Sequence, residues 1–360
     1  MKKYILVGLF FIFSIFLAAC GNTTDNRSKE TTKEPTKNAQ TTQDDSKNEK
    51  ENVAYTAEHG GITKVDASTN KTIKSIDIEG SVHNVQISPD GKILGATVVP
   101  ETGEHGGHDS GHEEKTNGFA VFYDVGTDEF INKVEVGSHP AHIVFTENMK
   151  YALVTNNQDN NVSIIDLATY KVIQNISTGN GPHGFRIAAD SKTAYIANMG
   201  EDTISILDLD SMKESKKIVV GNTPVTTGIT PDGKTLVVTL NAENSLAIIN
   251  LENEKVEKVT VGEGPAQVYV QTDGKFAFVA NQGTPENPSD SVSKIDLESR
   301  KVVATIKVGK GAHGVVTSDD NRFVYVTNMY ENTVSIIKNE DNKVIATIEV
   351  GTEPNGITLK

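Results

Sequence analysis

A glycine that follows a short apolar stretch recurs along the chain at Gly80, Gly137, Gly179, Gly221, Gly262, Gly309 and Gly351. Most intervals are 41 or 42 residues, and the two longer ones, 57 and 47, each hold an insertion. A fixed period of this length marks a repeated supersecondary unit. Such a unit is too small to bury its own apolar face and must stack on its neighbours. Seven copies therefore limit the chain to an array or a ring of like units.

The unit reads as four short strands, seen most clearly after Gly309. Strand a is expected over 313–318 and strand b over 323–328, with the turn Asp319-Asp320-Asn321 between them. Strand c is expected over 333–338 and strand d over 344–350. The same plan returns with Pro231-Asp232-Gly233 as the a–b turn and Ile206-Leu207-Asp208-Leu209 at the end of strand c. Runs of 5–7 alternating β-branched and polar residues, separated by Gly, Asn and Asp, are strand and hairpin signals. Four-stranded units of this size imply propeller blades. The expectation is an all-β, seven-bladed β-propeller over 53–360. Its first blade lacks strand a at the N-terminal end (strand b, 53–56) and is closed by a C-terminal strand at 355–360.

Three of these strands carry a family resemblance. Tyr325-Val326-Thr327-Asn328, Tyr195-Ile196-Ala197-Asn198 and Val154-Thr155-Asn156 resemble the YVTN β-propeller repeat, and the chain is similar to seven-bladed, YncE-like lipoproteins of that repeat type. The resemblance implies the fold over Val53 to Lys360. It carries little about function, because related propellers serve as enzymes, carriers and surface proteins.

Residues 1–19 open with Lys2 and Lys3, run through an apolar stretch and end at Leu17-Ala18-Ala19, directly before Cys20. That is the pattern of a signal peptide. Leu-Ala-Ala-Cys resembles the lipobox of bacterial lipoproteins, which implies lipidation of Cys20, cleavage before it, and a membrane anchor on the extracytoplasmic face. Cys20 is also the one cysteine of the chain, so no disulfide or thiolate site is available elsewhere. Residues 20–52 are almost free of large apolar side chains and read as a disordered tether. The net charge of −14 argues against nucleic acid as a partner.

Placed on the repeat, the nine histidines share one face. His59, His105, His108 and His112 fall in b–c loops, and His83, His139, His142, His183 and His313 fall in d–a connections or at the start of strand a. The insertion from Glu104 to Glu114 carries His105, His108 and His112 among glycines and acids. Imidazole and carboxylate on a Gly-rich segment suit Zn²⁺ or another divalent transition metal. The loop resembles those of bacterial zinc-uptake proteins. His83, His183 and His313 are expected to ring the channel mouth with His142 beside them. Blades 2, 4 and 7 stand too far apart for His83, His183 and His313 to meet, so a shared site is expected from neighbours such as His83 and His142 with an acid or a loop histidine.

Asn156, Asn198, Asn281 and Asn328 end strand b and read as turn residues. Asp66, Asp124, Asp166, Asp208 and Asp296 end strand c and read as caps of turn amides. A second insertion, Gly283 to Asp290, offers only Glu286 and Asp290 as ligands.

The leading functional expectation is a metal carrier or chaperone that delivers zinc or a similar ion to a metal-uptake transporter component. A propeller enzyme of the lactonase or lyase kind, with a channel histidine as general base, is the alternative, although the chain has no nucleophile motif and no Cys-x-x-Cys-His haem attachment. A protein-interaction propeller is the third class.

Overall fold

A computed structural model of the chain describes residues 53–101 and 115–360. It is an all-β propeller. Five four-stranded antiparallel sheets span 140–177, 182–219, 224–260, 265–307 and 312–349, each in simple chain order from the innermost strand outward. A sixth sheet has six strands, ordered Ile357–Leu359, Val53–Asp66, Lys71–Ile87, Ile93–Val99, Asn117–Asp124 and Phe130–Ser138.

Seven repeats lead to an expectation of seven sheets, and the described residues form six. The difference lies at Gly80. The strand Lys71–Ile87 runs on through it: its first part pairs with Val53–Asp66 (Asp66 with Lys71, Ile62 with Ile76) and its last part with Ile93–Val99 (Ser81 with Val99, Ile87 with Leu94). Four other inner strands open on Pro140, Pro182, Pro224 and Pro265, which have no N–H to continue a ladder. The stretch Gly80-Ser81-Val82 contains no such stop. The C-terminal strand pairs Ala54 with Leu359 and Thr56 with Ile357, so the two ends of the described chain meet in this one sheet.

Apolar side chains pack between neighbouring sheets and, in the six-stranded sheet, between its own two parts, where Tyr55 and Ile62 meet Val85 and Leu94. Leu153 and Ile164 of one sheet meet Phe185 and Ile196 of the next, and Leu236 and Ile249 meet Ile204 in the same way. Each fully buried Ile, Leu or Val contributes about 1.5–3 kcal/mol. The same arrangement recurs at each neighbouring pair of sheets.

The repeated residues outside the channel are structural. Asn156 and Asn328 accept from the backbone N–H of Gly137 and Gly309 and donate to Ser163 and Ser335. A Cβ on Gly137, Gly179, Gly262 or Gly309 would collide with the Asn of its own repeat, which accounts for the periodic glycine. Asp66, Asp124, Asp166, Asp208 and Asp296 each accept a turn amide, from Ser68, Thr127, Thr169, Asp210 and Ser299 respectively. The insertion at 283–290 lengthens two paired strands, Phe276–Gly283 and Pro288–Asp296.

Candidate functional site

The innermost strand of each four-stranded sheet starts with a β-bulge, and Lys71–Ile87 of the six-stranded sheet carries one beyond Gly80. Register shifts lie between Val82 and Asn84, Pro140 and Ile143, Pro182 and Phe185, and Ala312 and Val315. A bulge leaves residues out of the ladder and turns their side chains. His83, His142, His183 and His313 all sit inside these bulges. The bulges are braced by threonines: Thr155 accepts from the His142 N–H at 3.0 Å and donates to the His183 carbonyl at 2.8 Å, and Thr97 accepts from the Asn84 N–H at 3.1 Å and donates to the Ala141 carbonyl at 2.7 Å.

Three of the rings converge. One nitrogen from each of His83, His142 and His183 lies within 4.8 Å of the other two. The ring centroids are 5.8 Å apart for His83 and His142, and 5.1 Å apart for His83 and His183 and for His142 and His183. Among the described residues the third member is His183, two inner strands along from His83; the loop histidines that were expected to join them lie outside the described residues. The reach is short because only the strand Pro140–Phe145 separates the two bulges, and the bulges aim both rings into the channel.

Nδ1 of His83 meets the Ala141 carbonyl at 3.1 Å, that of His183 meets the Val225 carbonyl at 3.2 Å, and that of His313 meets the Asn355 carbonyl at 3.0 Å. A carbonyl can only accept, so each Nδ1 carries the proton and each Nε2 keeps its lone pair. His142 differs: it is 1% exposed, and neither ring nitrogen has a partner among the described residues.

Burial, followed by the mutual repulsion of the rings, holds His83 and His142 well below the usual histidine range and lowers His183 to about 4. Burial lowers His313 as well. The cluster is therefore neutral at pH 7, the state in which imidazole donates a lone pair.

The remaining histidines are placed apart from this trio. His313 lies outside the 4.8 Å group. His139 stands with its ring 6.2 Å from His83, and exposed His59 faces Glu101 at 3.4 Å. His105, His108, His112 and Cys20 lie outside the described residues. Deeper in the channel stand Arg186 and Tyr269, which sequence reasoning did not single out. A signal existed, since each follows its strand's opening proline, Pro182 or Pro265, by four residues.

Residues 118–274 match the model of the YNCE-like beta-propeller family. No curated protein matches the chain. Among solved structures, the chain is similar to Kuenenia stuttgartiensis hydrazine synthase, with a TM-score of 0.66 and 21% identity over 79% of this chain and 92% of that one. It is also similar to a protein of unknown function from Desulfotomaculum acetoxidans, with a TM-score of 0.70 and 14% identity over 86% and 98%. A protein from Bacteroides fragilis described as a candidate 6-phosphogluconolactonase has a TM-score of 0.68 and 12% identity over 86% and 98%. At these identities the likeness concerns the fold.

Proposed function

We propose that the chain is a carrier for Zn²⁺ or a similar divalent transition metal, with the ion as cargo between His83, His142 and His183. One observation carries the reading: three neutral imidazoles converge, two with Nδ1 already committed to a carbonyl and the third buried with no hydrogen-bond partner among the described residues. Metal-ligating histidines characteristically donate their other N–H to a carbonyl, which fixes the tautomer. Imidazole nitrogens on one tetrahedral Zn²⁺ stand about 3.4 Å apart, so nitrogens already within 4.8 Å need only small ring rotations.

In this reading His105, His108 and His112 capture ions, His313 lies along the route, and a lipid on Cys20 holds the protein at the extracytoplasmic face of the membrane near a metal-uptake transporter. The ring has seven blades, with the six-stranded sheet counted as two. Support for that count comes from the inner strands, because Ile357–Leu359 lies beside both Ala312–Thr317 and Lys71–Ile87.

The test is a Zn²⁺ titration of the purified protein, of a variant lacking 104–114, and of a variant carrying His83→Gln, His142→Leu and His183→Gln together. The reading expects binding below about 10 µM, lost in the triple variant and slowed or reduced in stoichiometry by the deletion. Unchanged binding in the triple variant would refute it.

A second reading rests on the same neutral rings, since a histidine in a channel can also act as general base, and one structural neighbour is described as a candidate 6-phosphogluconolactonase. Lactone hydrolysis that vanishes in His183→Gln and persists without 104–114 would favour this enzyme.

A further inference from the structure

Below the histidines the channel holds a half-buried cation, Arg186. Arg186 and Tyr269 stand at one depth, with Gly228 at the same position on the strand between them. The guanidinium carbon lies 5.6 Å from the centre of the Tyr269 ring. One Arg186 N–H donates to the Phe185 carbonyl at 3.0 Å. Arginine ion pairs among the described residues are those of Arg300 with Glu257 and Arg322 with Asp320, so no carboxylate compensates Arg186. A guanidinium has five donors and keeps its charge at neutral pH, so a half-buried one without a counter-charge leaves N–H groups directed at the cavity it lines.

The space it faces is a cavity of about 570 Å³, within the range of small-molecule sites. Gln86, Arg186 and Tyr269 line it at depth, and Val144, Phe145 and Ile187 form apolar wall. Asp90, Glu147 and Asp319, with one cation, Lys360, all exposed, lie along its outer edge.

We propose that this cavity binds a small organic monocarboxylate, whose head takes the free N–H groups of Arg186 and whose apolar body lies against Val144, Phe145 and Tyr269. An Arg fork matches a carboxylate with two parallel bonds. With three acids against the single Lys360, the edge disfavours polyanions. The site shares no residue with the histidine cluster and stands whether or not that cluster takes a metal.

Isothermal titration of the purified protein with benzoate, hexanoate, citrate and inorganic phosphate tests this. Benzoate or hexanoate should bind saturably with one site per chain, and Arg186→Gln should weaken that binding about tenfold or more, with Arg186→Lys intermediate. If Arg186→Gln does not fold, Val144→Phe fills the same cavity and should abolish binding. No saturable binding of either monocarboxylate, unchanged binding in the variant that folds, or citrate and phosphate binding as tightly as benzoate would each overturn the proposal.

Discussion

His83 and His183 belong to different sheets with a third strand between them, yet their rings stand 5.1 Å apart and edge to face. Both donate Nδ1–H outward to the neighbouring strand's carbonyl, at Ala141 and Val225. The backbone of each next repeat thus orients the ring of the one before, and the Nε2 lone pairs are left for the channel. His142 completes the group without any such restraint.

That asymmetry separates stability from binding at His142. Its two orphaned nitrogens are a burial cost that a ligand would relieve, and an apolar side chain removes the cost outright. His142→Leu is expected to leave the metal-free protein as stable as before or up to about 2 kcal/mol more stable, while abolishing the Zn²⁺-induced rise in the urea midpoint. Urea melts with and without Zn²⁺ measure both.

The low histidine pKa values fix the sign of a pH effect. As pH falls through about 6.5, these histidines take up protons in the unfolded chain, whereas folded His183 does so only near about 4. Between those values the unfolded state binds more protons, so metal-free stability is present above the window and lost across it. Buried Glu58, whose pKa is raised by burial, opposes the trend in part. Urea unfolding at pH 7 and pH 5 should show lower stability at pH 5, with a smaller difference in the triple histidine variant.

Ring closure rests on a short strand. Residues 355–360 supply the backbone bonds Ala57 N–H to Gly356 O, Asn355 N–H to Ala57 O and Lys360 N–H to Val53 O, and they bury Ile357. Deleting these six residues should cost about 3 kcal/mol or more and lower the melting temperature of the whole propeller. An unchanged thermal transition by circular dichroism would show that closure does not need this strand.

Asn156→Ala tests the other kind of repeat residue. It strands the half-buried Gly137 N–H and removes the donor to Ser163, whose hydroxyl keeps its bond to Asn175, an expected loss of about 1–2 kcal/mol. Zn²⁺ affinity of the folded fraction should stay at the wild-type value, because Asn156 does not reach the histidine trio. Equilibrium unfolding and a zinc titration on the same sample check the two halves of this statement.

Much of the fold was legible before any coordinates. The strands Phe323–Asn328 and Thr333–Lys338 fall on their expected residues, since β-branched alternation and Asn or Asp turns act locally. The asparagines were legible only as turn formers. Their bonds to Gly137 and Gly309 join segments 19 residues apart, which local pattern does not display. The six-stranded sheet was also hidden, because whether a strand stops or runs on at Gly80 depends on partners offered from both sides.

The sequence alone determined the repeat, the β class, the strand and turn positions and the placement of histidines at the starts of inner strands, all of which follow from side-chain period and backbone preference within a few residues. Only the tertiary structure decided that His83, His142 and His183 meet while His313 stays outside the group, and that Arg186 faces a cavity beside Tyr269. Such meetings depend on how bulges turn each side chain and how closely the sheets pack around the channel. Those quantities are set by non-local contacts and are not written at any single position.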